Sequence, residues 1–172
     1  MDEDATDVTT LRTVADYQFG AGAGTALFPP GETPVIRRTA SGRPRQVFPE
    51  GGDDGERLVT FATDGRFTLG FLGGRRLLAG LDAPTARVVV GDESVSFVRD
   101  GKNVFAKFVV AADPDLRAGD EAVVVHEDGT LLAVGRAELD AAAMADFQTG
   151  MAVKVRTGAD EFAAFEGPTD RS

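Results

Sequence analysis

The chain has 172 residues, and its 18 Lys and Arg residues against 28 Asp and Glu residues give a formal net charge of −10 at pH 7. A hydrophobic content of 42% with 12 phenylalanines is enough to build buried cores, which excludes an intrinsically disordered chain. The absence of cysteine excludes disulfides, a thiol nucleophile and cysteine-ligated zinc, and a single histidine, His126, argues against a histidine metal site or a Ser-His-Asp triad. Composition therefore predicts a protein without a metal or a cofactor.

The sequence also predicts a soluble, cytoplasmic protein of unusual charge balance. Its apolar runs fall far short of the ~20 residues of a membrane span, and its acidic N-terminus is unlike a signal peptide. The basic residues divide into 15 arginines and only 3 lysines. This ratio resembles that of proteins from extreme halophiles, although an acidic protein from a GC-rich genome is an alternative. In a halophile the acidic balance is an adaptation, so the positions of the few basic residues carry the information about partners.

The first half of the chain predicts a small α/β domain with antiparallel strands, spanning residues 11–84. The acidic residues 1–10 are expected to be disordered, and apolar spacing from Leu11 to Phe19 indicates a helix that ends at Gly20. The dipeptide Asp64-Gly65 is a hairpin signal. The remaining predicted elements are a helical turn at Thr25–Phe28, strands at Pro34–Arg38, Arg43–Phe48, Arg57–Thr63 and Arg66–Phe71, and a helix at Arg75–Leu81.

The second half, residues 85–158, is richer in strand signals. Two short helices are expected, at Ser94–Arg99 with Asp92 as its cap and at Ala141–Gln148 with Asp140 as its cap, the latter burying Met144 and Phe147. Five or so short strands with two helices favour a closed or nearly closed barrel and an α+β chain overall. The strands are expected at Arg87–Val90, Asn103–Val110, Glu121–His126, Leu131–Leu139 and Met151–Arg156. Residues 159–172 are expected to form a flexible tail. Two of its side chains, Phe162 and Phe165, are able to dock on the rest of the domain.

Four stretches of the second half carry a family resemblance. They are Ser96–Lys107, Asp115–Val123, Leu132–Ala137 and Gly150–Arg156. In this order and spacing they resemble a PUA domain, the small RNA-binding pseudo-barrel found in pseudouridine synthases and archaeosine transglycosylases. The resemblance implies a PUA β pseudo-barrel in the second half and a role in RNA binding.

The first half extends the resemblance. The stretches Val14–Gly22, Ser41–Val47 and Asp64–Leu69 are similar to the domain that precedes PUA in archaeosine tRNA-guanine transglycosylase and archaeosine synthase. Those enzymes keep their chemistry in a separate barrel, with aspartate catalysts and a zinc site built from cysteines and a histidine. Neither maps onto this sequence, so the resemblance implies a non-catalytic protein with no catalytic residue and no metal ligand.

The PUA resemblance places an RNA groove between the first helix, with its glycine turn, and the last strand. A glycine without Cβ permits close approach of a sugar-phosphate backbone, and basic side chains contact phosphates. The stretch from Gly101 to Ala112 lacks acidic residues, and all three lysines of the chain, two in this stretch and one on the last strand, fall in the proposed groove. The alternative is that these are solvated positions on ordinary strands. The candidate RNA-binding residues are Phe97, Arg99, Gly101, Lys102, Asn103, Lys107, Lys154 and Arg156.

A second basic patch lies in the first half, where no acidic residue stands between Glu32 and Glu50. On a hairpin turned at Ser41-Gly42 its side chains are able to grip phosphates. An equally good alternative is an arginine-rich hairpin paired with surface carboxylates, each pair contributing little. The arginines concerned are Arg37, Arg38, Arg43 and Arg45.

We therefore predict a non-catalytic protein that binds structured RNA, with tRNA favoured, and that acts with a separate tRNA-guanine transglycosylase or another archaeosine-modifying enzyme. Shape, phosphate and 2′-hydroxyl contacts are expected to dominate recognition. Two alternatives stay open at this point. One is a ribosome-associated or translation factor that uses the same surface, and the other is an acidic protein-interaction subunit that does not touch RNA.

Overall fold

The computed structural model describes the backbone of residues 3–52 and 54–170, with side chains described for residues 7–52 and 55–164. The chain divides into two compact units, Met1–Asp82 and Ala83–Ser172. Both combine helices with a mainly antiparallel sheet, so the predicted α+β class is confirmed. No helix among the described residues has the length and apolar character needed to cross a membrane.

The first unit packs three helices with a four-stranded antiparallel sheet. Its core is built from side chains that are almost fully buried, among them Leu11, Phe28, Phe48 and Phe67. The strands follow one another in the order β1-β2-β3-β4, and each neighbouring pair is antiparallel. The elements are α1 Glu3–Phe19, α2 Ala23–Leu27, β1 Val35–Arg38, β2 Pro44–Phe48, β3 Val59–Phe61, β4 Phe67–Leu69 and α3 Phe71–Gly80.

The first helix begins eight residues before Leu11, so the expectation of a disordered segment at residues 1–10 is wrong where the structure describes it. The Asp7 carboxylate lies 2.7 Å from the Arg38 guanidinium of β1. The Thr13 hydroxyl donates to the Thr9 carbonyl, one turn earlier in the helix. These contacts extend the helix toward the N-terminus, whereas the acidic sequence alone suggested only solvated side chains.

The third helix begins at Phe71, four residues before the predicted start at Arg75. Adjacent glycines usually argue against a helix. Here they allow the helix to lie against the chain that leads into β3, because a Cβ on Gly73 would stand 2.0 Å from the Leu58 carbonyl oxygen. Gly73 therefore serves close packing, which outweighs its low helix propensity.

The second unit contains a six-stranded sheet of order β6-β10-β9-β8-β5-β7. Its pairs are antiparallel except β5 with β8, which run parallel with Val90 opposite His126. The core beneath the sheet includes Val88, Val124, Leu132 and Met144. The elements are β5 Arg87–Val90, α4 Val95–Arg99, β6 Val104–Phe105, β7 Val109–Ala112, β8 Glu121–His126, β9 Leu131–Ala137, α5 Ala141–Asp146, β10 Met151–Gly158 and α6 Ala159–Asp170.

The prediction of a single strand at Asn103–Val110 is wrong, because a 3-10 turn at Ala106–Phe108 divides this stretch into β6 and β7. These two strands lie at opposite ends of the sheet order, β6 against β10 and β7 against β5. The turn therefore carries the chain from one edge of the sheet to the other, which produces the nearly closed barrel. Continuous β propensity in this stretch concealed the corner.

Three smaller expectations have mixed outcomes. Asp140 caps α5 as predicted, since its Oδ1 accepts a hydrogen bond of 2.8 Å from the Ala143 amide. Asp92 does not cap α4, because a separate 3-10 turn precedes that helix and the Asp92 carboxylate contacts His126 instead. Phe147 was expected to be buried, but α5 ends before it and its side chain is 48% exposed.

The expected flexible tail begins instead as the helix α6, which follows β10 directly. Phe162 is buried, as expected for a residue that docks on the barrel. The Gly158 amide donates 2.8 Å to the Glu161 carboxylate, which caps the start of the helix. The side chain of Phe165 lies outside the described residues.

Candidate nucleic-acid interface

An apolar cavity of about 490 Å³ lies beside α4 and β6. Two large aromatic side chains at this surface are unusually exposed, Phe97 by 62% and Phe105 by 45%. The third ring, Phe108, comes from the 3-10 turn that interrupts the predicted strand. Exposed aromatic rings beside a polar rim form the kind of surface on which an unpaired base stacks. The lining residues are Glu93, Ser94, Phe97, Lys102, Asn103, Val104, Phe105 and Phe108.

Cationic side chains surround this cavity. Lys102 lines it and lies 3.1 Å from Asp100, with both side chains more than 60% exposed, so the pair is held weakly. The Lys107 ammonium stands 5.1 Å from the centre of the Phe108 ring, in cation-π range. The structure thus brings Lys102 and Lys107 close to the predicted candidate Phe97 and to two further rings, Phe105 and Phe108, that were not among the predicted candidates.

Gly101 and Asn103, near the rim of the cavity, also stabilise the turn that follows α4. Gly101 has φ +98°, a backbone conformation that favours glycine, and ends the turn after α4. A Cβ at this position would meet the Glu161 carboxylate at 2.6 Å, so α6 already fills the space that the sequence analysis reserved for a phosphate. The Asn103 Oδ1 accepts a hydrogen bond of 2.9 Å from the Val155 amide, which fastens the turn to β10.

The remaining three candidates differ in how strongly neighbouring carboxylates hold their side chains. Arg99 lies 2.8 Å from Asp160 of α6, and both side chains are substantially exposed. Lys154 is exposed on β10. Arg156 holds the carboxylate of Glu121 with two hydrogen bonds of 2.7 and 2.9 Å, and Glu121 is only 5% exposed. Arg156 is therefore a structural partner of a buried acid, and we leave it out of the candidate surface.

Comparison with known proteins identifies both units. Residues 9–84 match the profile described as patch-forming domain C2 of tRNA-guanine transglycosylase, and residues 86–159 match the PUA domain profile. The chain contains a C2 domain followed by a PUA domain. The predicted resemblance to the tRNA-guanine transglycosylase family is thereby confirmed.

Curated relatives support the same assignment. The chain is 43% identical over 154 residues to the tRNA-guanine(15) transglycosylase of Methanobrevibacter smithii, covering 88% of this chain and 22% of that protein. It is 45% identical over 152 residues to the enzyme of that name from Pyrococcus furiosus, covering 88% of this chain and 25% of the enzyme. The chain thus spans about a quarter of the length of these relatives.

Solved structures support the fold. A hypothetical protein from Pyrococcus horikoshii superposes with a TM-score of 0.69 at 22% identity, covering 90% of each chain. A PUA domain protein from Aeropyrum pernix superposes with a TM-score of 0.65 at 18% identity, covering 95% of this chain and 89% of the other. At these identities the likeness concerns the fold alone.

The arginine patch of the C2 domain is not uniform. Arg37 lies over the Phe48 ring at 4.6 Å, and Arg38 is held by Asp7 and by the Gly42 carbonyl at 3.1 Å. Arg43 and Arg45 are exposed. Only the pair on β2 and its turn therefore retains the character of an anion-binding patch, and its contact with RNA stays a prediction.

The single histidine of the PUA domain lies between two aspartates. Hydrogen bonds between the ring and two carboxylates, with Asp128 the larger cause and Asp92 the smaller, raise the pKa of His126 above its usual 6.5. Hydrogen bonds from Thr130 lower the pKa of Asp128 to about 2. The imidazolium therefore stabilises the folded state below pH ~6.5, and this contribution is lost as the pH rises through the raised pKa. We expect the midpoint of an NMR titration of His126 to lie above 6.5.

The variant Asp128→Asn removes the first of these carboxylates, so it should lower the pKa of His126. Asp146→Asn changes the same charge on exposed α5 and should leave the titration midpoint unchanged. A midpoint at or below 6.5 in the unmodified protein would contradict the assigned hydrogen bonds.

Proposed function

We propose that this protein binds structured RNA, with tRNA favoured, through the PUA surface formed by α4, β6 and the 3-10 turn at Ala106–Phe108. The relatives that share both domains are named tRNA-guanine(15) transglycosylases, which supports a tRNA-related role. The matched regions are residues 9–84 and 86–159, and the sequence contains no cysteine of the kind that holds the zinc ion in the catalytic barrel of the family. We further propose a non-catalytic role beside a separate tRNA-modifying enzyme.

The observation that carries this proposal is the aromatic cavity with its lysines, in a chain of net charge −10 with only three lysines. Phe97 and Phe105 expose their rings at one cavity, and a cluster of exposed apolar side chains is typical of a binding surface. A base that protrudes from a structured RNA would stack on these rings. Lys102 and Lys107 would then contact the adjoining phosphates, and Asn103 would keep the turn fixed against β10.

The number of available cations predicts a shallow dependence on salt. If Lys102, Lys107 and Lys154 each neutralise one phosphate, the logarithm of affinity should fall with a slope of about −2 to −3 against the logarithm of salt concentration. Stacking is insensitive to counterion release, so it would carry much of the affinity at high salt.

The first test is binding of tRNA by the full chain, measured by gel shift or fluorescence anisotropy. Phe97→Ala removes the most exposed ring of the cavity and should weaken binding by about 5-fold to 150-fold, because stacking on an aromatic ring contributes roughly 1–3 kcal/mol per base. Phe147→Ala is the matched control, since Phe147 is also an exposed ring of the PUA domain and does not line the cavity. The control should bind as the unmodified protein does.

Charge reversal provides a second arm. Lys102→Glu should weaken binding, whereas Arg117→Glu on an exposed turn should have little effect. Equal losses from Phe97→Ala and Phe147→Ala would contradict the surface. Retention of ribosomal RNA in place of tRNA after crosslinking in cells would favour the ribosome-associated alternative, and capture of a protein partner without RNA would favour an interaction subunit.

A further inference from the structure

Two neighbouring inner strands of the PUA domain end side by side, and their ends bring three potential metal ligands together. Because β5 and β8 are parallel neighbours with Val90 opposite His126, the residues that follow each strand emerge side by side. The pairs concerned are Gly91-Asp92 after β5 and His126-Glu127 at the end of β8. One ligand atom from each of Asp92, His126 and Glu127 lies within 4.8 Å of the others.

The imidazole of His126 is oriented from behind. Its Nδ1 lies 3.0 Å from the Asp128 carboxylate, and its Nε2 lies 2.5 Å from Asp92 Oδ1. The backbone amide of Asp128 also lies 3.3 Å from Nδ1. Asp128 therefore fixes the plane of the ring from one side, and this orientation directs Nε2 at Asp92.

We propose that Asp92, His126 and Glu127 form a binding site for a divalent transition-metal ion of the Zn²⁺ type. An imidazole nitrogen with two carboxylates suits Zn²⁺, which takes nitrogen and oxygen ligands in a tetrahedral site, better than it suits Mg²⁺ or Ca²⁺, which prefer oxygen alone. Asp128 acts on the other ring nitrogen, as the outer carboxylate does in carboxylate–histidine–zinc arrangements.

Glu127 would have to bring its oxygen closer than the present limit of 4.8 Å, whereas Asp92 and His126 require only a small adjustment. Ligand atoms about 2.0–2.1 Å from a tetrahedral ion stand roughly 3.3 Å apart, so the oxygen of Asp92 would withdraw from Nε2 by less than 1 Å. Its side chain is 93% exposed and free to make this movement. The imidazole is only 18% exposed and is held by Asp128, so it provides the fixed ligand.

The site has a structural consequence for the surface described above. Asp92 opens the 3-10 turn Asp92–Ser94, which leads directly into α4. A metal ion shared by Asp92 with His126 and Glu127 would fasten the start of that turn to the end of β8. It would therefore restrain the segment that carries Phe97 and Arg99, independently of whether the PUA domain binds RNA. The proposal differs from the sequence-based expectation of a protein without a metal, which rested on the number of histidines and not on their neighbours.

The test is a calorimetric titration of the chelator-treated full chain with Zn²⁺ in high potassium chloride, which suppresses weak binding to surface carboxylates. We expect one Zn²⁺ per chain, a shift of the His126 Nε2 resonance in the same titration, and much weaker binding of Mg²⁺. Asp92→Asn and Glu127→Gln should each weaken Zn²⁺ binding, and Asp128→Asn should weaken it about tenfold. Asp146→Asn, an equal change of charge on exposed α5, should bind as the unmodified protein does.

His126→Gln would also remove the contacts of the ring with Asp128 in the turn. Asp92→Asn is therefore the decisive variant, because the Asp92 side chain is almost fully exposed. The absence of saturable binding to the unmodified chain, with an unshifted Nε2 resonance, would mean that a proton alone bridges His126 and Asp92, and would overturn the proposal. Binding of Zn²⁺ that Asp92→Asn and Asp146→Asn reduce equally would do the same, since it would be unspecific association with acidic residues.

Discussion

Replacement of Gly135 by alanine is expected to destabilise the PUA domain by about 3 kcal/mol or more. Gly135 lies in β9, where a Cβ would stand 2.3 Å from the Lys154 carbonyl oxygen and 3.0 Å from the Val155 Cα of β10. Both obstacles are backbone atoms in the centre of the sheet, next to a register shift between Val155 and Thr157. They cannot rotate away as a side chain does, so the two strands would have to separate.

Gly91→Ala is the matched control. Gly91 has φ −90° and ψ −176°, which alanine adopts without strain, and the nearest atom to an added Cβ is a Glu127 oxygen at 3.7 Å. Urea unfolding followed by circular dichroism, with amide exchange used to assign the transition to the PUA domain, should separate the two variants. Equal unfolding midpoints would show that β9 and β10 are able to move apart at little cost.

Arg156→Ala is expected to cost the PUA domain about 2–4 kcal/mol of stability. The Glu121 carboxylate is 5% exposed and receives both guanidinium hydrogen bonds of Arg156. Removing the arginine leaves a desolvated negative charge in the sheet without these two donors. The physical cause is the loss of two charged donors from a buried carboxylate, since an ion pair exposed on a surface would contribute far less.

The control for this prediction is Lys154→Ala, two residues earlier on the same strand. Lys154 is exposed, so its truncation should leave the unfolding midpoint almost unchanged. The pair also separates structure from recognition, because the proposal gives Lys154 a phosphate contact and leaves Arg156 out. Thermal unfolding and RNA binding of both variants provide the readout. A stable Arg156→Ala protein with a selective loss of RNA binding would return Arg156 to the candidate surface.

Local patterns predicted the positions of most elements. Two apolar runs on either side of a glycine turn placed β8 and β9 to within two residues, and Asp140 marked the start of α5. The failures arise where a distant backbone decides the conformation. The start of α3 depends on Gly73 lying against Leu58, and the corner at Ala106–Phe108 depends on the pairing of β6 and β7 with strands far away in sequence.

The candidate site shows the same division. Phe97, Lys102 and Lys107 stand close together in sequence, so a motif was sufficient to group them. The contacts made by Gly101 with Glu161 and by Arg156 with Glu121 join residues separated by tens of positions. Pairings of that kind cannot be deduced from spacing in a single sequence, and the roles of the grouped residues in RNA binding stay predictions.

The corner between β6 and β7 has a consequence for how the PUA domain folds. Its two outermost strands are joined by only three residues, whereas the partner of β6 is β10, near the end of the domain. During synthesis, β6 is therefore unable to pair until about 45 further residues have been added and Met151–Gly158 has left the ribosome. Such a long-range closure slows folding and makes it cooperative. Once formed, it leaves neither margin of the sheet as a long free strand that a second nascent chain is able to extend.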